Sequence, residues 1–306
     1  MRILFMGTPD FAVEQLDALR RSGETVVGVF TQPDKPRGRG NKVIPSPLKK
    51  YCFENTNLVV YQPNSLKSGD DAAKAMAVIK ELVPDIIVVA AYGKILPKEI
   101  LEFPRYGCIN VHASLLPAYR GAGPIQWSII NGEKTTGVTI MQMGEGLDTG
   151  DMLYSRSIDI GENETADELT VRLAKLGGEA LTEALDMIKN GSIEPVPQDD
   201  SLSSYAPMIS KSMAALNFSK PAAEIHRLIR GLSSNPGAYM MKGEDRIKVY
   251  KAHLSGRRFD GECGTIADKS DFTVICGDGQ GITFDEVQAA GGKRMKTSDF
   301  LKGNKL

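Results

Sequence analysis

The sequence predicts an α/β protein, a doubly wound parallel sheet followed by a small β-barrel domain. Three observations predict it. Up to residue 189, short apolar runs alternate with longer segments whose apolar residues recur at helical spacing, the order expected of repeated strand–helix–strand units. One of these runs, Asp85 to Ala90, is apolar at nearly every position, as a strand covered on both faces must be. Beyond residue 208, several short strand-like runs are separated by turn signals.

The elements follow in order. Arg2 to Met6 reads as a buried strand, and Gly7-Thr8-Pro9-Asp10-Phe11 opens a helix with Leu16 and Leu19 on its inner face. The turn between them lacks the G-x-G-x-x-G pattern, which disfavours a nicotinamide-dependent oxidoreductase. Val26 to Phe30 is the second strand. Ser46 starts a helix carrying Leu48, Tyr51 and Cys52, and Leu58 to Tyr61 gives a third strand. Asp70 to Leu82 is helical, and the strand from Asp85 to Ala90 runs into Ala91-Tyr92-Gly93-Lys94-Ile95-Leu96-Pro97. Residues 107–112 form the next strand. Gly123-Pro124 begins a helix whose Trp127, the only tryptophan, reads as a core anchor rather than a base-stacking platform. After strand-like Gly137 to Met141 and Met152 to Ile160 comes a long amphipathic helix, Thr165 to Lys189, with Leu169, Leu173, Leu176, Leu181 and Leu185 inside.

Residues 190–207 change character. Gly191, Pro195, Pro197, Asp199-Asp200 and Ser203-Ser204 make a polar, breaker-rich connection. The expected organisation is therefore a catalytic domain over 1–189, a linker over 190–207 and a second domain over 208–306. In the second domain Ala222 to Leu232 is helical, with His226 on the helix face. Strand-like runs follow at Ala238–Met241, Ile247–Tyr250, Gly264–Ile266, Phe272–Cys276 and Gly281–Phe284.

A length of 306 residues suits two domains, and 42% hydrophobic with 25% charged residues is ordinary globular composition. The net charge of −1 is unevenly spread: residues 1–204 hold 21 Lys and Arg against 27 Asp and Glu, and residues 205–306 hold 16 against 11. The basic tail fits an anionic partner. Cys52, Cys108, Cys263 and Cys276 match no metal or redox spacing and read as reduced thiols of a cytosolic protein. The apolar start is cut short at Thr8-Pro9-Asp10, too soon for a signal peptide, and no membrane-spanning run follows, so a cytoplasmic location is expected.

Residues 34–50 are the most unusual segment. Six basic residues accompany one acid, and four prolines (counting Pro33) with two glycines forbid regular structure through its first half. It reads either as a solvated loop or as a phosphate-binding arm built on Arg37, Arg39 and Lys42.

Chemistry concentrates in Cys108-Ile109-Asn110-Val111-His112-Ala113-Ser114-Leu115-Leu116-Pro117. Ile109 and Val111 alternate with polar partners, so Asn110 and His112 look out on one face of a strand. Pro117 forbids continuation of the ladder. Two polar side chains thus converge where a strand ends, which is where ligands bind in open α/β sheets. A carboxylate, Asp148, lies in the glycine-rich turn Gly144-Glu145-Gly146-Leu147-Asp148-Thr149-Gly150-Asp151. On residue type alone, a satisfied core histidine beside an ordinary acidic turn is as good a reading as a catalytic pair.

The stretch from Asn110 to Leu116, continuing Pro117-Ala118-Tyr119-Arg120-Gly121, together with Gly146-Leu147-Asp148-Thr149-Gly150, resembles the signature of the 10-formyltetrahydrofolate-dependent formyltransferases. The resemblance extends along the whole chain, from Arg2-Ile3-Leu4-Phe5 to Phe300-Leu301. It implies a Rossmann-like formyltransferase domain followed by an OB-like barrel that binds tRNA. It implies that Asn110, His112 and Asp148 are catalytic, and that Ser114, Leu115, Leu116 and Pro117 touch the folate. It implies that backbone in 91–97 lines the pterin pocket. The 34–50 loop would insert at the acceptor stem of initiator tRNA, with Arg39 at the matching arginine. The implied reaction moves a formyl group from 10-formyltetrahydrofolate to the α-amino group of methionyl initiator tRNA, with no metal, in a monomeric enzyme. The second domain departs from the family at Asn235, where a tryptophan usually precedes the Pro-Gly, and at Phe218, where the aromatic is often tryptophan.

An α-amino group has a pKa of roughly 8, so much of the nucleophile is already neutral near pH 7. The harder task is to stabilise the oxyanion as the amine attacks the formyl carbon. Asn110 and His112 are the expected donors, and Asp148 would favour the charged imidazole, orient it and relay protons. Other formyl acceptors stay open, namely glycinamide ribonucleotide, an amino-sugar nucleotide or water, whereas the Asn110, His112 and Asp148 arrangement argues against a non-catalytic RNA-binding module. The basic loop and the barrel favour tRNA.

Overall fold

The computed structural model of the chain describes residues 1–37, 42–304 and 306, with backbone alone at Arg37 and Lys42. Its contacts divide it into two compact units. One comprises Met1–Arg120, Gly137–Ile158 and Val171–Tyr205; the other comprises Gly121–Thr136, Asp159–Thr170 and Ala206–Leu306.

The first unit opens with β1 (Arg2–Gly7), α1 (Asp10–Arg21) and β2 (Thr25–Phe30). A short antiparallel hairpin follows, β3 (Lys35–Arg37) and β4 (Lys42–Ile44). Next come α2 (Pro47–Asn55), β5 (Val60–Tyr61), α3 (Asp70–Leu82), β6 (Ile86–Ala90), α4 (Lys98–Leu101) and β7 (Cys108–His112). The helix α5 (Pro124–Asn131) counts with the second unit, and β8 (Thr135–Gln142), β9 (Met152–Asp159) and α6 (Ala166–Asn190) follow it.

The sheet runs β5-β2-β1-β6-β7-β8-β9. The five strands from β5 to β7 are parallel, and β8 joins β7 antiparallel. An antiparallel edge on an otherwise parallel sheet is common in this class, because only the central strands need helices on both faces. The chain winds outward from β1 through β2 to β5, then returns to place β6 and β7 on the other side of β1. That reversal is a topological switch point, and it opens the crevice beyond the carboxyl ends of β1, β6 and β7.

Residue choice explains the packing. All five residues of β6 are buried, as are Ile3 to Met6 of β1. In α6, Leu169, Leu173, Leu181 and Leu185 are fully buried at helical spacing, each contributing about 2 kcal/mol by leaving water. The Gly177-Gly178 pair lets this helix lie close. A Cβ on Gly178 would come within 2.8 Å of the Ala18 Cβ, and one on Gly177 within 3.0 Å of Val111 Cγ1. Ser46 caps α2 by accepting from the Lys49 N–H at 3.1 Å, with Pro47 in the first turn.

The β3–β4 hairpin corrects the expectation that prolines keep the first half of the 34–50 segment irregular. Pro36 pairs with Val43 inside the ladder. A two-stranded ladder has a free edge on each side, and a proline whose missing N–H faces outward costs it nothing.

The second unit contains α5, α7 (Ala222–Leu232) and an antiparallel sheet. Its strands are β10 (Ala238–Lys242), β11 (Asp245–Arg258), β12 (Ile266–Asp268), β13 (Thr273–Ile275), β14 (Gln280–Ala289) and β15 (Met295–Lys296), before α8 (Thr297–Gly303). The order is β10-β11-β14-β13-β12, with β15 on β14. The long pair β11–β14 carries three register shifts, and bulges of this kind bend a strand enough to curl a sheet toward a barrel. Its core joins Ile225, Ile229 and Leu232 of α7 to Val249, Val274, Ile282 and Phe284 of the sheet. Trp127 is half-buried and donates to the Pro207 carbonyl at 2.8 Å, consistent with an anchor.

Candidate active site

The strand β7 sets the site. Ile109 and Val111 are buried and fix its register, which leaves Asn110 and His112 together on the opposite face. His112 is 5% exposed and Asn110 half-buried. Nε2 of His112 lies 2.9 Å from the Tyr119 carbonyl oxygen. A carbonyl only accepts, so Nε2 carries the hydrogen. Nδ1 is then the nitrogen free to gain or lose a proton, and it faces Asp148 Oδ2 at 3.7 Å. That separation is an ion pair when the ring is protonated, too long for a direct hydrogen bond. A shift of less than about 1 Å, or one bridging water, would close it. The Asn110 amide makes no side-chain hydrogen bond among the described residues.

Asp148 reaches His112 because its backbone is left-handed, with φ +52°. Its side chain is 16% exposed. Two residues on, Gly150 is required by space: a Cβ there would sit 1.8 Å from the Gln142 carbonyl oxygen. The loop is also tied from a distance. Gln198 Nε2 donates to the carbonyls of Asp148 and Gly150 at 2.8 and 2.7 Å.

The turn after β7 is stiff. Thr139 Oγ1 donates to the Ser114 carbonyl at 2.7 Å and accepts from the Leu116 N–H at 3.1 Å. Ser114 Oγ donates to the Ala118 carbonyl at 2.6 Å, and the Leu116–Pro117 bond is cis. Ser114 and Leu116 are buried with these polar groups in use, whereas Leu115 and Pro117 are half-buried. Beside them, the loop after β6 turns through left-handed Ala91 and Gly93. The Tyr92 carbonyl accepts from Thr8 Oγ1 at 3.1 Å and from Gln32 Nε2 at 3.0 Å, and Gln32 also reaches the Gly93 carbonyl. These bonds tie the carboxyl ends of β1 and β2 to the loop after β6, while Thr139 of β8 ties down the turn after β7.

Arg39 lies outside the described residues, and for Arg37 and Lys42 the backbone pairing in the hairpin is what is described. The base of the arm is firm: Lys49 pairs with Asp34 at 2.6 Å and Gln62 donates to Asp34 at 2.8 Å. The hydrogen bond from Lys49 holds the Asp34 carboxyl below its usual range.

Burial pushes the thiols of Cys52, Cys108 and Cys276 up to about 11, 12 and 12, which makes them inert packing residues. Among the described residues no group of three or more His, Cys, Asp and Glu converges, and no helix is long and apolar enough to cross a membrane. Sequence reasoning missed Gln198, Gln32, Thr139 and the Tyr119 carbonyl. Tyr119 and Arg120 stood inside the recognised motif. Gln198 lies in a stretch whose composition signals only a connection.

A histidine, a facing carboxylate and an amide without a side-chain partner among the described residues thus meet at the strand ends of a switch point, where α/β sheets bind ligands. The formyl transferase family matches residues 1–185, and the formyl transferase C-terminal domain family matches residues 208–305. The chain belongs to the formyl transferase family. Among its relatives, the methionyl-tRNA formyltransferase of Clostridium novyi (strain NT) is 46% identical, covering 100% of this chain and 98% of the relative. That of Geobacter metallireducens is 45% identical, covering 100% and 96%. Solved structures share the fold at lower identity. The N-formyltransferase from Helicobacter canadensis, in complex with folinic acid and dTDP-3-aminofucose, superposes with a TM-score of 0.66 at 21% identity, covering 93% of this chain and 98% of that one. HypX from Aquifex aeolicus, in complex with tetrahydrofolic acid, gives 0.67 at 17%, covering 98% and 47%.

Proposed function

We propose that this chain transfers a formyl group from 10-formyltetrahydrofolate to the α-amino group of methionyl initiator tRNA, acting as a cytosolic monomer. The observation that carries the reading is the 45–46% identity with methionyl-tRNA formyltransferases over the full length of the chain, second domain included. Within the site, the amine attacks the formyl carbon, a carbon–nitrogen bond forms and charge moves to the formyl oxygen. The Asn110 amide, held on the rim without another partner, donates to that oxygen. Such a preorganised donor lowers the barrier by about 3–4 kcal/mol. The attacking nitrogen becomes positive and gives up its proton on the Asp148 side. His112 Nδ1, facing that carboxylate, stabilises the developing charge. As the oxyanion collapses, the bond to N10 breaks and N10 takes up the proton. These steps use no metal.

Ser114, Leu115, Leu116 and Pro117 form the wall against which the folate rests, with Leu115 and Pro117 supplying contact and Ser114 and Leu116 supplying stiffness. Arg37, Arg39 and Lys42 contact acceptor-stem phosphates, and residues 208–306 carry further tRNA contacts. The test is to supply labelled 10-formyltetrahydrofolate and offer charged initiator tRNA, glycinamide ribonucleotide and an amino-sugar nucleotide in turn. Label should move to methionyl-tRNA. Label that stays on the folate with tRNA present, yet moves to a sugar nucleotide, overturns the assignment.

A further inference from the structure

We infer that Gln198, in the connection after α6, is a positioning residue of the active site that sets the catalytic loop through its side-chain amide. The inference rests on the role proposed for Asp148. The amide orientation follows from chemistry: its two contacts at Asp148 and Gly150 are carbonyls, which only accept, and its third is an arginine N–H, which only donates. Nε2 therefore spends both hydrogens on the loop, and Oε1 takes the Arg120 Nε hydrogen at 2.9 Å. No other side chain of this size offers two donors and an acceptor in that arrangement.

The geometry makes this connection a clasp on both partners of His112. One partner is the Asp148 carboxylate, whose left-handed backbone Gln198 pins at the carbonyl. The other is the carbonyl of Tyr119, a second non-glycine residue in the left-handed region, with φ +61°. Its N–H donates to Ser204 Oγ at 2.9 Å, and the next N–H, of Arg120, donates to the Ser204 carbonyl at 2.8 Å. Left-handed non-glycine backbone persists only where surroundings over-determine it. Here the over-determination comes from residues 198–204, distant in sequence from both. Arg120 also pairs with Asp200 at 2.7 Å, but that carboxylate is 82% exposed and adds little. The amide of Gln198 is the link that couples the arginine to the loop.

Gln198→Glu isolates this role. It keeps the length and the acceptor for Arg120 but removes both donors to the loop. Gln198→Met keeps the length and removes everything polar. Loss of about an ångström of positioning costs up to roughly 100-fold in rate. Both variants should therefore lower kcat by about 10- to 100-fold while KM for 10-formyltetrahydrofolate and thermal midpoint change little. Combined with Asp148→Ala, neither should slow the enzyme further, because Gln198 would have no carboxylate left to place. If Gln198→Glu turns over like wild type, or if its effect multiplies with that of Asp148→Ala, the inference is overturned while the role of Asp148 stands. If Asp148→Ala itself turns over normally, the proposed mechanism fails and the inference falls with it. A large fall in thermal midpoint with kcat preserved at low temperature would show a merely structural residue.

Discussion

Replacing Asp148 by asparagine keeps its shape and removes its charge, so it isolates what the carboxylate does for His112. The two groups face each other at 3.7 Å, with side chains 6% and 16% exposed. At an effective dielectric of about 20, opposite charges at that distance attract by about 4 kcal/mol, an amount available only when the ring is protonated. Solvent reaching the carboxylate trims it, and half of it still corresponds to about 30-fold in rate. In the proposed mechanism the carboxylate also receives a proton, a role asparagine cannot take, for which general-base losses are about 100-fold or more. Asp148→Asn should therefore lower kcat by at least about 100-fold. The binding constant for 10-formyltetrahydrofolate should move by less than about threefold, since charge at Nδ1 bears on the transition state rather than on the wall formed by residues 114–117. The assay is single-turnover formyl transfer to charged initiator tRNA, with folate affinity measured by calorimetry on the same preparations. Turnover within a few-fold of wild type would refute the proton and charge roles together. A loss of folate affinity matching the loss of rate would place Asp148 in binding rather than in chemistry.

Gly150→Ala should slow transfer at least about tenfold and cost about 1–3 kcal/mol of stability, because its Cβ would meet the Gln142 carbonyl oxygen. A chemical-denaturation midpoint and kcat both matching wild type would contradict that crowding. Arg39→Ala should raise KM for tRNA several-fold and flatten the dependence of log affinity on log salt with folate affinity constant, the signature of a phosphate contact. An unchanged salt slope would leave the segment a solvated loop. His226 gives a pH prediction. Burial, and then the nearby Arg230 charge, lower its pKa to about 4, and its Nε2 has no partner among the described residues. The unfolded chain protonates this ring near pH 6.5 and the folded one only near 4, so stability falls as pH drops through that window, by up to about 1.4 kcal/mol per pH unit. His226→Leu should reduce that slope in urea titrations between pH 7.5 and 5, and an identical slope would assign it to other groups.

The parallel sheet was legible because its signals are local. The apolar run Ile86–Ala90 and the leucine spacing of α6 follow from burial, and the Ser46-Pro47 cap follows from backbone hydrogen bonding. What was illegible depends on distant partners. The strand β11 runs from Asp245 to Arg258, yet its alternation fades after Tyr250, where outward residues such as His253, Ser255 and Arg257 give no apolar period. Its length comes from pairing with β14, which no window of sequence contains. The hairpin at β3 was hidden by Pro36, whose penalty depends on which edge its missing N–H faces. In the site, Asn110, His112 and Asp148 announced themselves by residue type and by motif. Gln198 did not, because its importance lies in two carbonyls some fifty residues away.

The shared fold separates what handles the donor from what selects the acceptor. The Helicobacter canadensis N-formyltransferase and this chain superpose over most of their lengths at only 21% identity, which shows a shared fold, and a fold does not by itself name an acceptor. The chemistry needed at the formyl carbon is the same whichever amine attacks, and in the mechanism proposed above it falls to the Asn110 amide and the His112 imidazole on β7 and to the Asp148 carboxylate in the loop between β8 and β9. The amine's carrier must be recognised elsewhere. A tRNA presents phosphates over a distance no small crevice spans, so in the function proposed above its recognition falls to cation-bearing segments such as residues 34–50. This predicts an asymmetry among variants. Changes on the rim should slow every acceptor equally, down to a minimal amine. Changes in the basic segment should matter only when the amine arrives on tRNA. A methionine ester tried as a slow surrogate acceptor distinguishes the two classes: Asn110→Ala should lose activity toward both acceptors, and Arg39→Ala toward tRNA alone. If Arg39→Ala impairs the ester as severely, the basic segment serves the chemistry, and the division between rim and arm is wrong.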